Sequence, residues 1–297
     1  MKHFLLKRRE TMGDVFLLTV CVKALKKRFP DCKIDVATYF PEVLQNNPNI
    51  NGIYRDRDIL GITYDNIFDL NDAYEINPRI KIAVNYLNSC NITDEVDTIG
   101  DMWFNENLIK FGSNVCSGEF IVFEASKTNN RLQQNRFFPR MNEVHDRIKQ
   151  MGFKTMIVGI NNASNIINSD IDFTGKLNLM QTTVVIAQHG LVYIGYHGGM
   201  AHLLQAIPMP TVIYYTVHSA EFTQTINDFL KIINVKTECF NCRSRFGNGK
   251  MSPWPSCYHP EINCSETISV DELIEGILEQ YEKFKGQINE RRLQVHF

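Results

Sequence analysis

The sequence predicts an α/β protein of two layered halves, each a parallel sheet covered by helices, with a cleft between them. Three observations lead there. Short apolar runs of strand character alternate with amphipathic helical stretches. The alternation pauses over 94–114 and then resumes. The third is Tyr193–Ala206, YIGYHGGMAHLLQA. It reads as a buried strand ending at Gly195, a turn at Gly198 and Gly199, and a helix with Met200, Leu203 and Leu204 on one side.

The first half opens with a strand at His3–Lys7 and a loop through Met12-Gly13-Asp14. Val15–Arg28 has helical periodicity, with Val15, Leu18, Val22 and Leu25 on one side and Lys23, Lys26 and Lys27 on the other. Pro30 ends it. Lys33–Thr38 is a second strand, Glu42–Gln45 a short helix stopped at Asn46-Asn47-Pro48, and Gly52–Arg55 and Asp65–Leu70 two further strands. Pro78–Leu87 is expected to be helical and Asp94–Asn114 irregular, with a domain boundary at its end. The division is therefore 1–114 and 115–297.

The second half carries strands at Phe120–Glu124, Thr155–Gly159, Val192–Gly195, Thr211–Tyr215 and Leu230–Val235. Helices are expected at Arg140–Met151, closed by Gly152, at Leu177–Gln188, and at Ser269–Lys285. Ser269 and Glu272 form a capping box for the last, with Ile268 and Leu273 as its hydrophobic staple.

Bulk properties narrow the class. The 297 residues fit two domains, and 44% hydrophobic with 22% charged content is that of a globular chain. A net charge of −2 demands no polyanionic partner. No apolar run approaches the roughly 18–20 residues of a membrane span, and the stretch after Met1 is too short for a signal peptide. A cytoplasmic location is expected, where the eight cysteines stay reduced or bind metal.

Ligands of such sheets bind at the carboxyl ends of the strands. A strand, glycine turn and helix offer backbone N–H groups to a phosphate, although the same pattern serves as an ordinary βα turn. Here His197 and His202 flank the turn. Asp14, following Gly13 after the first strand, is either a helix cap or a general base facing the cleft, with Gly13 clearing space for substrate. The loop Glu124–Pro139 holds Lys127, Arg131 and Arg136. These are either solvated cations or neutralise phosphates in the cleft, and Phe137 and Phe138 favour Arg136 by pinning it. Asp172–Lys176, DFTGK, is a turn ahead of a helix.

Cys239, Cys242, Cys257 and Cys264 follow a C-x2-C-x14-C-x6-C spacing. The first pair is spaced as in zinc ribbons and the second is not, with His259 as a competing ligand. The segment between them lacks structure of its own, so a cross-link is expected: a structural zinc or iron, a disulfide, or thiols without one. Cys21, Cys32, Cys90 and Cys116 are scattered.

Together these segments resemble glycosyltransferase family 9, the heptosyltransferase-like enzymes of the GT-B fold. The resemblance rests on MGDVFLLTVCVKALKKRFPDCKIDV with NNPNINGI, on RFFPRMNEVHDRIKQMGFKTMIVG, on IDFTGKLNL, and on VVIAQHGLVYIGYHGGMAHLLQAIPMPTVIYY. It implies two Rossmann-like domains facing a central cleft: an acceptor-side domain over 1–114 and a nucleotide-sugar domain over 115–297, the latter with the Cys-rich 239–264 segment and the closing helix. It implies inverting transfer of a sugar from a nucleotide sugar to an acceptor hydroxyl, without a catalytic metal. Asp14, beside Gly13, takes the place of the general base. Gly198, Gly199 and Met200 would hold the donor diphosphate through backbone N–H groups. His202 stands at the motif histidine, Gly175 in the D-(L/F)-T-G turn, and Arg136 or Lys127 at the basic residue that steadies the leaving nucleotide. His197 departs from the family, which carries an acidic residue there, and bears on donor identity. Some relatives bind a metal at a C-terminal four-cysteine cluster, which favours the metal among the readings of the cysteines.

The acceptor is a glycan, a lipopolysaccharide precursor, a protein or a modified base of phage DNA. A DNA acceptor calls for a basic rim, and Lys23, Lys26, Lys27 and Arg28 form one small patch. Two other classes stay open. A nucleotide-sugar epimerase would release its product without an acceptor. A non-catalytic nucleotide-sugar binder would be indifferent to loss of Asp14.

Overall fold

The apolar run Phe4-Leu5-Leu6 becomes the buried middle of β1 (His3–Lys7), as expected of a strand covered on both faces. In the computed structural model, which describes residues 1–125, 136–159, 166, 168–242 and 263–287, β1 pairs in parallel with β2 (Lys33–Ala37) and β4 (Asn66–Asp69). With β3 (Gly52–Tyr54) on β2, the first sheet has the order β3-β2-β1-β4.

The second sheet is also parallel. Its strands are β5 (Phe120–Glu124), β6 (Thr155–Val158), β7 (Ile171–Asp172), β8 (Gly190–Tyr196), β9 (Thr211–Tyr215) and β10 (Leu230–Asn234), in the order β10-β9-β8-β5-β6-β7. Expectation and structure agree on nine of these ten strands; β7, two residues long, runs into the turn expected at Asp172–Lys176.

The first helix begins three residues earlier than periodicity indicates. It runs as α1 (Met12–Phe16) and α2 (Leu18–Arg28), with Leu17 still helical at the junction. Thr11 takes φ 68, and its carbonyl accepts from the N–H groups of Asp14 and Val15. Gly13 and Asp14 therefore lie in the first helical turn and not on a preceding loop. Helix α3 (Ile82–Ser89) follows.

A second difference is α4 (Glu106–Val115), inside the segment expected to be irregular. Asn105 caps it by accepting from Leu108 N–H at 2.8 Å. A Cβ at Gly112 would run into Gln188, so this glycine lets α4 lie close on α6 (Leu179–His189). Gln188 Nε2 and His189 Nε2 reach the carbonyls of Ile109 and Gly112. Helix α4, which runs through the expected boundary at 114/115, thus packs on α6 in the second half of the chain.

The remaining helices are α5 (Met141–Gln150), α7 (Gly199–Gln205), α8 (Ala220–Thr223) and α9 (Val270–Phe284). The capping box of Ser269 and Glu272 is present, and Ile268 and Leu273 are buried beside it. Helix α9 packs on α5 and the strands β8 to β10. One apolar cluster runs from the first sheet through α1 and α7 into one face of the second sheet; another fills its other face beneath α5 and α9. No helix among the described residues is long and apolar enough to cross a membrane.

Candidate active site

Two glycines set the distance between the halves. A Cβ at Gly13 would lie 2.7 Å from His202 Cδ2 and 3.1 Å from Gly199 Cα, and one at Gly199 would run into Met12. The first turns of α1 and α7 therefore meet directly. The space cleared at Gly13 is taken up by His202 and the Gly199 backbone, which gives this glycine a packing role ahead of the substrate-clearing one expected.

Beside this contact lies a cleft of about 310 Å³ between the two sheets. Gly13, Asp14, Arg136, His197, Gly198, Gly199 and His202, all singled out from sequence, line it. Gly175 does not. It sits at φ 66 in an exposed turn whose N–H donates to Gly159 O, so its left-handed backbone accounts for the glycine. The side chain of Met200 turns into the core, where Thr183 Oγ1 lies 3.8 Å from its sulfur. Lys127 lies outside the described residues.

Asp14 is held in a network that sequence reasoning missed. Arg8, the first residue after β1, and Asp14 are each 4% exposed. Arg8 Nη2 donates to Asp14 Oδ2 at 2.5 Å, and Tyr74 OH donates to the same oxygen at 2.7 Å. Arg8 is fixed in turn by Glu75 Oε1 at 2.8 Å and by the carbonyls of Leu70 and Asn71. Its guanidinium carbon lies 4.9 Å from the Tyr74 ring centroid. The pairing of Lys7 with Asp69 in β1 and β4 delivers the 70–75 segment to Arg8.

Burial raises the Asp14 carboxyl above its ordinary value, against the opposing pull of the Arg8 charge and the Tyr74 hydrogen bond. Burial and the Asp14 charge raise the Tyr74 hydroxyl too, so it stays protonated as a donor. Burial works against the Arg8 cation, but Tyr86, Asp14, Tyr74 and Glu75 outweigh it and its pKa rises. Arg136 is shifted down by burial, with Tyr196, Tyr74 and Asp14 opposing. Burial lowers His202 to about 4, so its imidazole is neutral at neutral pH.

The side of the cleft formed after β8 and β9 is aromatic. His197 stacks on Tyr215 at 5.5 Å between centroids and meets the edge of His218 at 5.6 Å. His218, Phe222, Thr223 and Gln224 also line the cleft and were not anticipated. Phe222 packs edge-on against Tyr74 at 5.9 Å, so the loop after β9 touches the wall that holds Asp14.

Away from the cleft, Cys239, Cys242 and Cys264 are buried in the cluster beneath α9. Cys239 Sγ lies 3.7 Å from Thr237 Oγ1. Cys257 lies outside the described residues, and the described cysteines do not by themselves converge as a metal-ligand set.

Comparison with known proteins connects this geometry to a family. The model of glycosyltransferase family 9 (heptosyltransferase) matches residues 128–250. No protein of curated function matches the chain by sequence. Among solved structures, a family 9 glycosyltransferase from Veillonella parvula is similar at TM-score 0.75 and 15% identity, over 95% of this chain and 98% of that one. Escherichia coli ADP-heptose lipopolysaccharide heptosyltransferase II follows at 0.67 and 14% identity, over 96% and 100%. TibC, a dodecameric iron-containing heptosyltransferase of enterotoxigenic E. coli solved with ADP-D-β-D-heptose, is similar at 0.71 and 12% identity, over 95% and 76%. The TM-scores over nearly the whole chain establish the shared GT-B architecture. The matched segment contains both the DFTGK turn and the Gly198-Gly199 turn. The chain thus has the GT-B fold, and its 128–250 segment is similar to glycosyltransferase family 9.

Proposed function

We propose that the cleft transfers a sugar from a nucleotide sugar to an acceptor hydroxyl with inversion, Asp14 acting as general base. The observation that carries this reading is the asymmetric hold on Asp14. Arg8 and Tyr74 both bind Oδ2. Oδ1 is then the oxygen that receives the acceptor proton, while the ion pair keeps the carboxylate oriented. The deprotonating acceptor oxygen attacks the anomeric carbon. The bond from that carbon to the diphosphate oxygen breaks, and its electron pair leaves with the diphosphate. Attack from the face opposite the leaving group inverts the centre.

The leaving charge is met by Arg136 and by backbone N–H groups of the turn at Gly198, Gly199 and Met200. Neutral His202 supports that turn from the Gly13 side. No step is assigned to a metal. Residues 1–114 supply the acceptor wall and 115–297 the donor wall. The relatives solved with ADP-heptose make ADP-linked heptoses the first donors to test.

For Cys239, Cys242, Cys257 and Cys264 we propose a structural zinc or iron. Cys239, Cys242 and Cys264 are each buried on the same face of the second sheet, and soft thiolates suit either metal.

The test is a donor panel with purified protein, followed by assignment of the anomeric configuration of the product by NMR. Transfer with inversion, lost in Asp14→Asn, supports the reading; an epimerised sugar released without acceptor contradicts it.

A further inference from the structure

Gln224 sits at the end of the loop that follows β9, is 2% exposed, and lines the cleft. Two of its polar groups have partners. Its backbone N–H donates to Ala220 O at 2.8 Å. Its side-chain Oε1 accepts from Tyr215 OH at 2.7 Å, and burial keeps that phenol protonated and donating. With Oε1 taken by Tyr215, Nε2 is the end with no partner among the described residues. A buried amide N–H2 without a protein acceptor is unfavourable, and on a residue that lines a cleft it is a donor that a ligand oxygen can satisfy.

The loop is built to hold that donor still. Ser219 caps α8 by accepting from Phe222 N–H, and its own N–H donates to Asn241 Oδ1 at 3.1 Å. Thr223 Oγ1 donates to Ser219 O at 3.0 Å. On the far side, Thr225 N–H donates to Gln205 Oε1 at the end of α7. Phe222 is braced against Tyr74, the residue that grips Asp14. Gln224 is thus pre-positioned relative to both the proposed base and the glycine turn.

Strand order says which part of a donor lies there. The turn that meets the diphosphate follows β8. In the sheet, β5, β6 and β7 lie on one side of β8, and β9 and β10 on the other. The anomeric carbon has to lie between the diphosphate and Asp14, and the β9 loop is the wall shared by those two. Its chemistry fits as well. A neutral amide donor beside the rings of His218 and Phe222, 5.5 Å apart, suits a hydroxylated ring with apolar C–H faces, not an anion.

We propose that Gln224 Nε2 donates a hydrogen bond to a hydroxyl oxygen of the transferred sugar, making the β9 loop the sugar-reading subsite of the donor. This rests on the nucleotide-sugar reading above, and the experiment separates the two. Calorimetry measures the affinity of wild type and Gln224→Glu for ADP and for ADP-heptose, and for UDP and UDP-glucose. The glutamate keeps an acceptor for Tyr215 and removes the donor. The expected result is unchanged nucleoside-diphosphate affinity with nucleotide-sugar affinity reduced about tenfold. Gln224→Met, similar in length and lacking both amide atoms, should give the same selective loss and carries the test if the glutamate variant does not fold. Wild type that binds a nucleotide sugar, with the sugar's share of affinity intact in a folded variant, overturns the subsite alone. Wild type that binds none of the four ligands overturns the donor reading and the subsite with it.

Discussion

Arg8 and Asp14 form a buried ion pair in which Arg8 Nη2 meets Asp14 Oδ2 at 2.5 Å, on the oxygen that Tyr74 also binds. The pair joins the end of β1 to the first turn of α1 and fixes the carboxylate before any substrate arrives. A buried charge with one partner removed is costly, by about 3–5 kcal/mol, so the pair is demanding on the fold as well as on the chemistry.

Arg8→Lys tests the pairing. Lysine keeps a charge but cannot reproduce the fork that bonds Asp14, Glu75 and two carbonyls together. Because the Arg8 charge opposes the upward push of burial on Asp14, weakening it raises the carboxyl further. The acid limb of the pH–rate profile should move to higher pH, with kcat down about tenfold or more. A profile superimposable on wild type would show that Arg8 does not act on the base.

His202 makes stability depend on pH. Its folded value, about 4, lies below its ordinary 6.5, so the unfolded chain binds the proton more readily. Stability from this group is complete above the unfolded value and is lost as pH falls through the window down to about 4. The shift corresponds to about 3 kcal/mol. Denaturation of wild type and His202→Asn between pH 7 and 4 should show a shallower acid decline in the variant. Equal slopes would remove His202 from the account.

The close approach of Gly13 to His202 and Gly199 predicts that Gly13→Ala forces the halves apart. A loss of about 1–3 kcal/mol in stability is expected, together with a clear drop in turnover. An unchanged midpoint of thermal unfolding and unchanged turnover would mean that the halves do not need this contact.

Cys242→Ser tests the cysteine-bound metal. Elemental analysis of protein purified under reducing conditions should find about one zinc or iron per chain in wild type and less in the variant. Metal-free wild type of full stability contradicts the site.

How much of this was legible in the sequence follows from what is local. Strands such as Phe4-Leu5-Leu6 and the β8 run declare themselves because both their faces are buried. The Gly198-Gly199 turn stands out because strand, glycines and helix are adjacent in the chain, and Asp14 because it follows Gly13 shortly after β1, although it lies in the first turn of α1 and not in a loop. Helix α4 was hidden because Gly112, Ser113 and Asn114 are weak helix formers, and its support comes from packing on α6 across a large sequence gap. The Asn105 cap with Leu108, Phe111 and Val115 spaced behind it was the available signal. Arg8 was one of two adjacent arginines, with nothing local to tell them apart. Tyr74 stands 60 residues from Asp14, and only the pairing of β1 with β4 brings them together. Gln224 depends in the same way on Tyr215 and on the strand order.

The most direct test of the central claim is the turnover of Asp14→Asn set beside its donor affinity. Asparagine keeps an oxygen that can accept from Arg8 and Tyr74, so the network and the fold should persist, while its amide cannot take the acceptor proton. With a donor identified by calorimetry, kcat is predicted to fall by about 10²-fold or more, with donor affinity near that of wild type. Turnover close to wild type in the folded variant would contradict the assignment of Asp14 as the base.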